Sequence, residues 1–345
     1  MAVRYAVGIS GTVSWADDTY WSTSSGGAGG ASYPLDTDDA IINSSSGSGT
    51  MNAPTNTVCK SLDMSGFTGS LTIGTTFSHS LNINGGALIF GSGMNVTGLT
   101  DRIIYFLGTC TVTMNGKQPN CLFSAGRSAV SAGTLTLQDA LTLGPPTSYV
   151  TGLVTFVSGS IINTNNQSVS VYGLYSFVSG CTLTLGSSNV TIRNQIDLSL
   201  FSTINYNTST VILDFGGGTG TDSFAVLSGN TLYNLTFQNG DVLLSGVGAW
   251  NVTCTNTFKL ENIGTFEEES PGATILTFAN GDFNTNLSLI GLEFVCTGAG
   301  PVVFSDSTIT NCEASGALFD ASDNCVNGGG NIGFFFGFPI GQALL

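Results

Sequence analysis

The chain has 345 residues, of which 41% are hydrophobic and 8% are charged, whereas about 25% are charged in an average globular protein. This balance excludes intrinsic disorder, which requires low hydrophobicity and many charges. The formal net charge is −15, and only seven lysine and arginine residues are present. A nucleic-acid-binding protein needs a patch of such residues to neutralise phosphates, so we expect no nucleic-acid partner.

We expect residues 1–54 to form an N-terminal cap. Residues 1–7 contain one basic residue but no apolar stretch of signal-peptide length, so we expect no cleaved leader. No apolar run approaches the roughly 20 residues of a membrane span, so we expect no membrane insertion. We expect the core of the cap to contain Trp15, Tyr20 and Trp21. The alternative is that these aromatic side chains form a platform on which a sugar stacks.

Three carboxylates follow in the same cap, at Asp36, Asp38 and Asp39. Clustered oxygen ligands are the kind that calcium prefers. The spacing differs from that of an EF-hand loop, so we expect these side chains to cap turns. The sequence predicts no cofactor and no metal, with these three residues as the candidates if one binds.

Residues 55–315 predict an all-β fold, a right-handed parallel β-helix with coils of about 21 residues. From Ser131, four consecutive 21-residue blocks align without gaps. Apolar residues recur within each block at period two, which predicts three short strands per coil. The four columns, apolar almost throughout, contain Leu135, Phe156, Phe177 and Leu198; Leu141, Ile162, Leu183 and Ile204; Ser148, Val169, Val190 and Val211; and Val150, Val171, Ile192 and Leu213.

One further column of these blocks predicts a tight corner. It alternates Gly144, Asn165, Gly186 and Asn207, the residue types that tolerate the left-handed backbone conformation. A β-sandwich would also show short strands with frequent turns. It gives no reason for an ungapped 21-residue register, so we favour the β-helix.

The repeat continues further along the chain with small slips. Residues 235–242 match residues 276–283, which predicts a separation of two coils. Cys254 and Cys296 are also spaced by about two coils, roughly 10 Å at the usual strand spacing, which is too far for a disulfide. We expect the eight cysteines to be buried thiols that act as small hydrophobic groups.

The strongest candidates for chemistry are Asp241, Glu261 and Asp282. Their spacing allows them to stack on one face of the predicted helix, where carboxylates could raise one another's pKa or bind a cation. Enzymes that cleave polysaccharides use such clusters. We expect these acids to cap turns and the chain not to be an enzyme, with polysaccharide cleavage as the alternative.

Residues 316–345 predict a C-terminal cap that docks onto a partner. The segment is rich in phenylalanine, and exposed phenylalanines promote aggregation unless a partner covers them. We therefore expect docking between subunits of a homo-oligomer, preferably a trimer, or onto another protein. The docking residues are Phe334, Phe335, Phe336, Phe338 and Ile340.

Several stretches of the chain resemble a family of β-helix proteins with Trp/Gly caps, known mainly from bacteriophage and environmental genomes. Residues 5–15 read YAVGISGTVSW, and residues 20–22 read YWS. A Gly/Ala/Ser loop at 25–32 and an Asp-rich turn at 34–42 follow. Residues 327–334 read NGGGNIGF and are similar to the end of the family. The family is related to repeat segments of bacterial surface adhesins.

The chain departs from the family pattern at Ala6 and Phe334, where the family has tryptophan. Both replacements are apolar, so we expect the caps to survive. The resemblance implies a structural virion protein: a fibre, a spike or a capsid decoration that forms a stiff rod. It would assemble in the host cytoplasm with other virion proteins, become extracellular in the virion, and stabilise the particle or contact a host-surface glycan. A bacterial surface adhesin is the second alternative.

Overall fold

The computed structural model describes residues 1–336 with the exception of 75–78, 97–98, 100–101, 129, 145–151, 199, 215, 217–218, 221–224, 227–229, 245–250, 269–274, 284–286 and 299–300. The protein is nearly all β, and its coils stack in parallel as a β-solenoid of about 10 turns. The predicted fold class is therefore confirmed. Two short 3₁₀ helices span Asp18–Tyr20 and Ser44–Ser46.

The first eighteen strands lie before residue 189. They are β1 Val3–Ala6, β2 Thr12–Ser14, β3 Trp21–Ser22, β4 Asp39–Ile41, β5 Thr50–Ala53, β6 Thr57–Cys59, β7 Ser61–Asp63, β8 Ser70–Ile73, β9 Ser80–Asn84, β10 Ala87–Ile89, β11 Arg102–Thr113, β12 Cys121–Ala125, β13 Gly133–Leu137, β14 Leu141–Thr142, β15 Gly152–Thr155, β16 Ile161–Asn163, β17 Val169–Ser176 and β18 Cys181–Thr184.

The remaining described strands follow. They are β19 Asn189–Asp197, β20 Phe201–Asn205, β21 Thr210–Asp214, β22 Thr219–Gly220, β23 Ala225–Val226, β24 Asn230–Leu232, β25 Asn234–Leu244, β26 Asn251–Glu268, β27 Ile275–Phe283, β28 Ser288–Ile290, β29 Glu293–Cys296, β30 Val302–Ser305, β31 Thr308–Thr310, β32 Glu313–Ser315, β33 Phe319–Asp323, β34 Val326–Asn327 and β35 Phe334–Phe335.

The chain divides into two compact units. The first contains residues 1–188 and 200–205, and the second contains 189–199 and 206–345. Parallel pairing begins at β1, which pairs with β4, and still occurs at β35, which pairs with β33. Both segments predicted as caps therefore contribute strands of their own.

The core of the first unit lies inside its coils. Strands β9, β11, β12, β15 and β17 pair in parallel one after another, so that equivalent side chains stack. One such column is buried with at most 1% of each residue exposed, and it contains Leu81, Ile104, Phe123, Leu153 and Leu174. Each coil thus buries its apolar residues against the next coil.

The predicted corner is confirmed for Asn165, Gly186 and Asn207, whereas Gly144 lies at a different turn, because Leu141 pairs with Val169 and not with Ile162. Gly144, Asn165, Gly186 and Asn207 have φ angles of 60°, 52°, 59° and 35°. Glycine lacks the Cβ that opposes this left-handed conformation, and the short polar side chain of asparagine tolerates it. These residue types therefore mark where the chain turns from one strand to the next.

Asparagine side chains also join coils of the second unit. Asn256 Nδ2 donates to Asn234 Oδ1 at 2.9 Å, and Asn280 Nδ2 donates to Asn256 Oδ1 at 3.4 Å. Asn234 in turn donates to Thr210 Oγ1 at 3.1 Å. In this ladder Asn234 and Asn256 each use both the donor and the acceptor of the amide, which favours stacking of like residues.

The ungapped 21-residue register is only partly correct. Ile162, Leu183 and Ile204 share one column as predicted. Ile162 pairs on its other side with Leu135 and not with Leu141. The step from Leu135 to Ile162 is longer than one repeat because additional residues follow Gly144.

The later repeat gave one correct and one wrong prediction. Cys254, Phe278 and Cys296 share a column, so the two cysteines lie two coils apart as predicted. Leu235 instead pairs with Phe258, whereas Leu276 pairs with Val252. The matching residues 235–242 and 276–283 therefore occupy different columns, because the intervening coils differ in length.

Seven cysteines are buried, Cys325 is partly exposed, and none of these eight forms a disulfide. Burial raises the pKa of Cys254 to about 12, with a smaller opposing effect of a backbone hydrogen bond from Leu235, and burial also raises the pKa values of Cys59 and Cys121. Because the thiolate is the reactive form, these thiols should react slowly in the folded protein at neutral pH.

We expect a maleimide reagent at about pH 7 to modify Cys325 first and the seven buried cysteines only after unfolding. Intact-mass spectrometry of native and denatured samples would count the modified thiols, and peptide mapping would locate them. The denatured sample serves as the control for complete reaction. Rapid modification of Cys254 in the native protein would contradict its placement in the core.

Candidate functional site

One sheet of the first unit carries apolar side chains on its outer face as well as its inner one. Along this outer face Tyr105 pairs with Ser124, Ser124 with Val154, and Val154 with Tyr175. Ile103, Leu122 and Val154 form a buried outer cluster, and the rings of Tyr105, Phe156 and Tyr175 pack against it. The outer cluster and these three aromatic side chains therefore form a second apolar layer outside the coils.

This layer ends in partly exposed aromatic rings. We name Tyr105, Phe156, Tyr175 and Phe177 the aromatic flank. The rings of Phe156 and Phe177 stack with centroids 4.6 Å apart and an interplanar angle of 6°. Tyr175 meets Phe177 edge-on at 5.1 Å, and Tyr105 lies 6.2 Å from Phe156. Phe177 remains 53% exposed.

The prediction that Phe156 and Phe177 are core residues is wrong for Phe177, which is exposed, and Phe156 packs on the outer cluster. The inward residues at the ends of β15 and β17 are Thr155 and Ser176, with 0% and 4% exposed. Side chains alternate between the two faces of a strand, so the residue after each of these points outward. An error of one residue in register reverses the assigned face.

Arg127 joins the aromatic flank to a group of amides. Its guanidinium carbon lies 5.3 Å from the ring centroid of Tyr105. Arg127 Nη1 donates to Asn82 Oδ1 at 3.1 Å, and Nη2 donates to Asn56 Oδ1 at 3.0 Å. Asn56 Oδ1 also accepts from Ser80 Oγ at 3.1 Å. The cation is thus held in place by neutral acceptors and an aromatic face.

Two tyrosines of the flank have raised pKa values. Burial raises the pKa of Tyr105, although the charge of Arg127 opposes this effect. Burial also raises the pKa of Tyr175. Both phenols are therefore neutral at physiological pH, and each keeps a hydroxyl group that can donate and accept hydrogen bonds.

A cleft of about 310 Å³ opens beside Asn56. We name it the Asn56 cleft; its walls include Trp15, Tyr33, Leu35, Pro54, Asn56 and Val58. Trp15 is 2% exposed, and its Nε1 is buried without a hydrogen-bond partner. Most buried indole N–H groups find a partner, so this one is an exception.

The N-terminal tryptophans confirm the prediction of a packed core. Trp21 is fully buried, its Nε1 donates to the carbonyl oxygen of Trp15 at 2.7 Å, and the two rings meet edge-on at 4.9 Å. Tyr20 is half-buried. Since Trp15 also lines the Asn56 cleft, it contributes both to the core and to a cleft wall.

The three predicted stacked acids do not form one ladder. Glu261 pairs with Gln238, and Asp282 pairs with Lys259. Lys259 Nζ lies 3.2 Å from Glu261 Oε2 and 3.5 Å from Asp282 Oδ2. The hydrogen bond with Glu261 is the largest cause of a raised pKa of Lys259; burial opposes it, and the attraction of the two carboxylates adds to the rise. The side chain of Asp241 lies outside the described part.

The three aspartates of the N-terminal segment have separate roles. Asp38 is 6% exposed and accepts from the backbone N–H groups of Ala2 and Leu35 at 2.8 and 3.3 Å. Burial acts to raise its pKa, but these hydrogen bonds and nearby positive charges outweigh it and lower the pKa. Asp39 Oδ1 accepts from Ser61 Oγ at 2.5 Å. Asp36 is exposed. Among the described residues, no three His, Cys, Asp or Glu side chains group to hold a metal.

The predicted docking residues are divided between the core and the surface. The ring of Phe334 lies 5.6 Å from that of Phe319 and 5.9 Å from that of Phe304, so it packs into the second unit. Phe336 is half-buried, and Phe335 is 44% exposed. Phe338 and Ile340 lie outside the described residues.

The fold and this surface define the chain as a parallel β-solenoid with an outer aromatic layer. Comparison with protein-family models, with curated proteins and with solved structures gave no match. No helix within the described residues is long and apolar enough to cross a membrane.

Sequence analysis missed Tyr105, Arg127, Asn56 and Asn82 as members of a site. Arg127 and Asn56 are 71 residues apart along the chain. The only available signal was that Arg127 is one of seven cationic residues in an otherwise charge-poor chain. Its partners could not be identified before the coils were placed in register.

Proposed function

We propose that the chain is a structural virion protein of a bacteriophage, as a fibre, a spike or a capsid decoration. In this role it stabilises the particle or attaches it to a host surface. The observation that supports this best is the stacking of coils through parallel strands over fully buried columns such as Leu81, Ile104 and Phe123. Because each coil is hydrogen-bonded to the coil before it and the coil after it, the stack forms a stiff scaffold suited to a mechanical role.

The resemblance of the N-terminal and C-terminal motifs to phage β-helix proteins supports the virion assignment. The same motifs are related to repeat segments of bacterial adhesins, which need a similarly stiff scaffold. The two alternatives differ in where the protein is found. An adhesin is exposed on a bacterial cell, whereas a virion protein purifies with phage particles.

Cryo-electron microscopy and mass spectrometry of the source particles would test this proposal. We expect stoichiometric recovery of the chain with purified particles and density for stacked coils at symmetric positions on the capsid or tail. Recovery on the bacterial surface, with none on particles, would overturn the virion assignment in favour of an adhesin. Particles produced by a deletion strain, which lack the protein, should be less stable or attach less well to the host.

We also propose that the end of the second unit docks onto another copy of the chain, in a trimer, or onto another virion protein. Three apolar residues near this end support the proposal, because Val326, Ile332 and Phe335 are 59%, 61% and 44% exposed. Exposed apolar residues commonly mark protein interfaces where they cluster, and these three lie within ten residues of sequence.

We expect the double variant Ile332→Ser with Phe335→Ser to weaken self-association, because it removes apolar area that only an interface would bury. Light scattering coupled to size-exclusion chromatography measures the oligomeric state. Val130→Ser is the matched control, because Val130 is similarly exposed at 59% in the first unit. Unchanged assembly of the double variant, both with itself and with particles, would contradict docking at this end.

A further inference from the structure

We propose that the Asn56 cleft and the aromatic flank together form a binding site for a neutral oligosaccharide. This inference deepens the attachment role proposed above and rests on it for its biological purpose. The site is built from residues of the first unit, and the two parts meet at Asn56. That residue lines the cleft and accepts a hydrogen bond from Arg127, which covers Tyr105.

The aromatic flank offers a surface on which a sugar ring can stack. The ring of Phe177 stacks on Phe156 and meets Tyr175 in a T-shaped arrangement, yet 53% of the residue is exposed. More than half of Phe177 is therefore open to a ligand. The ring is held by its neighbours and by the backbone, because the Phe177 N–H donates to the Thr155 carbonyl at 3.0 Å. A rigid, open aromatic face binds an apolar sugar face at low entropic cost.

The Asn56 cleft supplies the polar groups that a sugar requires. Small-molecule sites combine mostly apolar walls with a few placed hydrogen-bonding groups and begin at about 300 Å³. At about 310 Å³, this cleft has that size and combines Trp15, Tyr33 and Pro54 with the amide of Asn56. Asn56 is exposed, and its Nδ2 can donate to a sugar hydroxyl while its Oδ1 accepts from Arg127 and Ser80.

The two parts lie along one direction of the sheet. On its outer face Val58 pairs with Asn82, Asn82 with Tyr105, and the column continues through Ser124 and Val154 to Tyr175. Five strand spacings correspond to about 24 Å. A ligand that spans from the Asn56 cleft to Tyr175 and the exposed ring of Phe177 must therefore be a chain of several sugar rings and not a monosaccharide.

The charges favour a neutral ligand over an acidic one. Among the residues that the structure describes, no carboxylate lines the Asn56 cleft. Arg127, a cation of the site, already binds two amides and covers Tyr105. The chain as a whole carries a net charge of −15, which repels polyanions. Neutral amides, phenols and open aromatic faces match the hydroxyls and apolar faces of neutral hexose units.

The test uses the full-length protein and defined probes. An array of neutral oligosaccharides with four to six sugar units, namely gluco-, manno-, galacto- and N-acetylglucosamine series, is screened beside polygalacturonate as the acidic probe. Hits are measured by isothermal titration calorimetry. The variants are Phe177→Ala in the flank and Asn56→Gly in the cleft. Glycine keeps the φ of 56° that Asn56 adopts, so the second variant removes the amide without straining the turn.

We expect at least one neutral series to bind, with a Kd that each variant raises about tenfold or more, because aromatic and central polar contacts carry most binding energy. Leu318→Ala, which changes a 56% exposed apolar residue of the second unit, should leave the Kd unchanged. The affinity should also be nearly independent of salt.

Three results would overturn the inference. They are that no neutral series binds, that Phe177→Ala and Asn56→Gly both bind as tightly as the unmodified protein, or that only polygalacturonate binds and does so in a salt-dependent way. These outcomes separate the inference from the proposed function. A particle-borne protein that binds no glycan would overturn only the inference. A neutral-glycan binder absent from particles would overturn only the virion assignment.

Discussion

Replacing Phe278 by alanine should lower the free energy of unfolding by about 3–5 kcal/mol. Phe278 is fully buried in the second unit, where its ring stacks on Phe258 at 5.6 Å and contacts Phe294 and Phe319 at 6.2 and 6.4 Å. Alanine leaves a cavity among neighbours that the parallel strands hold in place, so they cannot collapse into it. Urea unfolding followed by far-ultraviolet circular dichroism measures the loss.

The control for this experiment is Leu318→Ala. It removes a large apolar side chain from the same unit, at a position that is 56% exposed. Its effect should stay below about 1 kcal/mol, because surface substitutions leave no cavity. Equal destabilisation by the two variants would mean that the phenylalanine cluster around Phe278 is not the core of the second unit.

Replacing Trp21 by alanine should also cost about 3–5 kcal/mol, but its effect should be confined to the N-terminal coils. Trp21 is fully buried, contacts Trp15 edge-on at 4.9 Å and donates to its carbonyl oxygen. In a solenoid each coil contacts only its neighbours, so a local loss of packing opens the nearest coils first. Hydrogen exchange should show loss of protection in β1 and β4 with retained protection in β15 and β17.

Two companion variants make the Trp21 experiment specific. Trp21→Phe keeps most of the packing but removes the indole N–H, and should cost about 1–3 kcal/mol because the buried carbonyl of Trp15 loses its donor. Tyr33→Ala, at a position 38% exposed, should have little effect on exchange in β1. Uniform loss of protection through β17 in Trp21→Ala would show that the first unit unfolds as one cooperative body.

Local chemistry in the sequence was sufficient to predict the fold class. The low charge, the period-two apolar residues and the alternation of Gly144, Asn165, Gly186 and Asn207 each report on a few neighbouring residues. Their φ angles of 60°, 52°, 59° and 35° follow from the residue types themselves. Where coils keep one length, as from Ile162 to Leu183 and Ile204, even the column was predictable.

The candidate site was decided only by the tertiary structure. Whether Phe177 faces inward depends on strand parity, which one extra residue reverses. Whether Arg127 reaches Asn56 across 71 residues depends on the summed length of every intervening coil. Loop lengths vary at little energetic cost, so residue spacing alone does not determine which residues stack. The stacking of the coils decides which residues become neighbours, because backbone hydrogen bonds between adjacent strands permit only one register at a time.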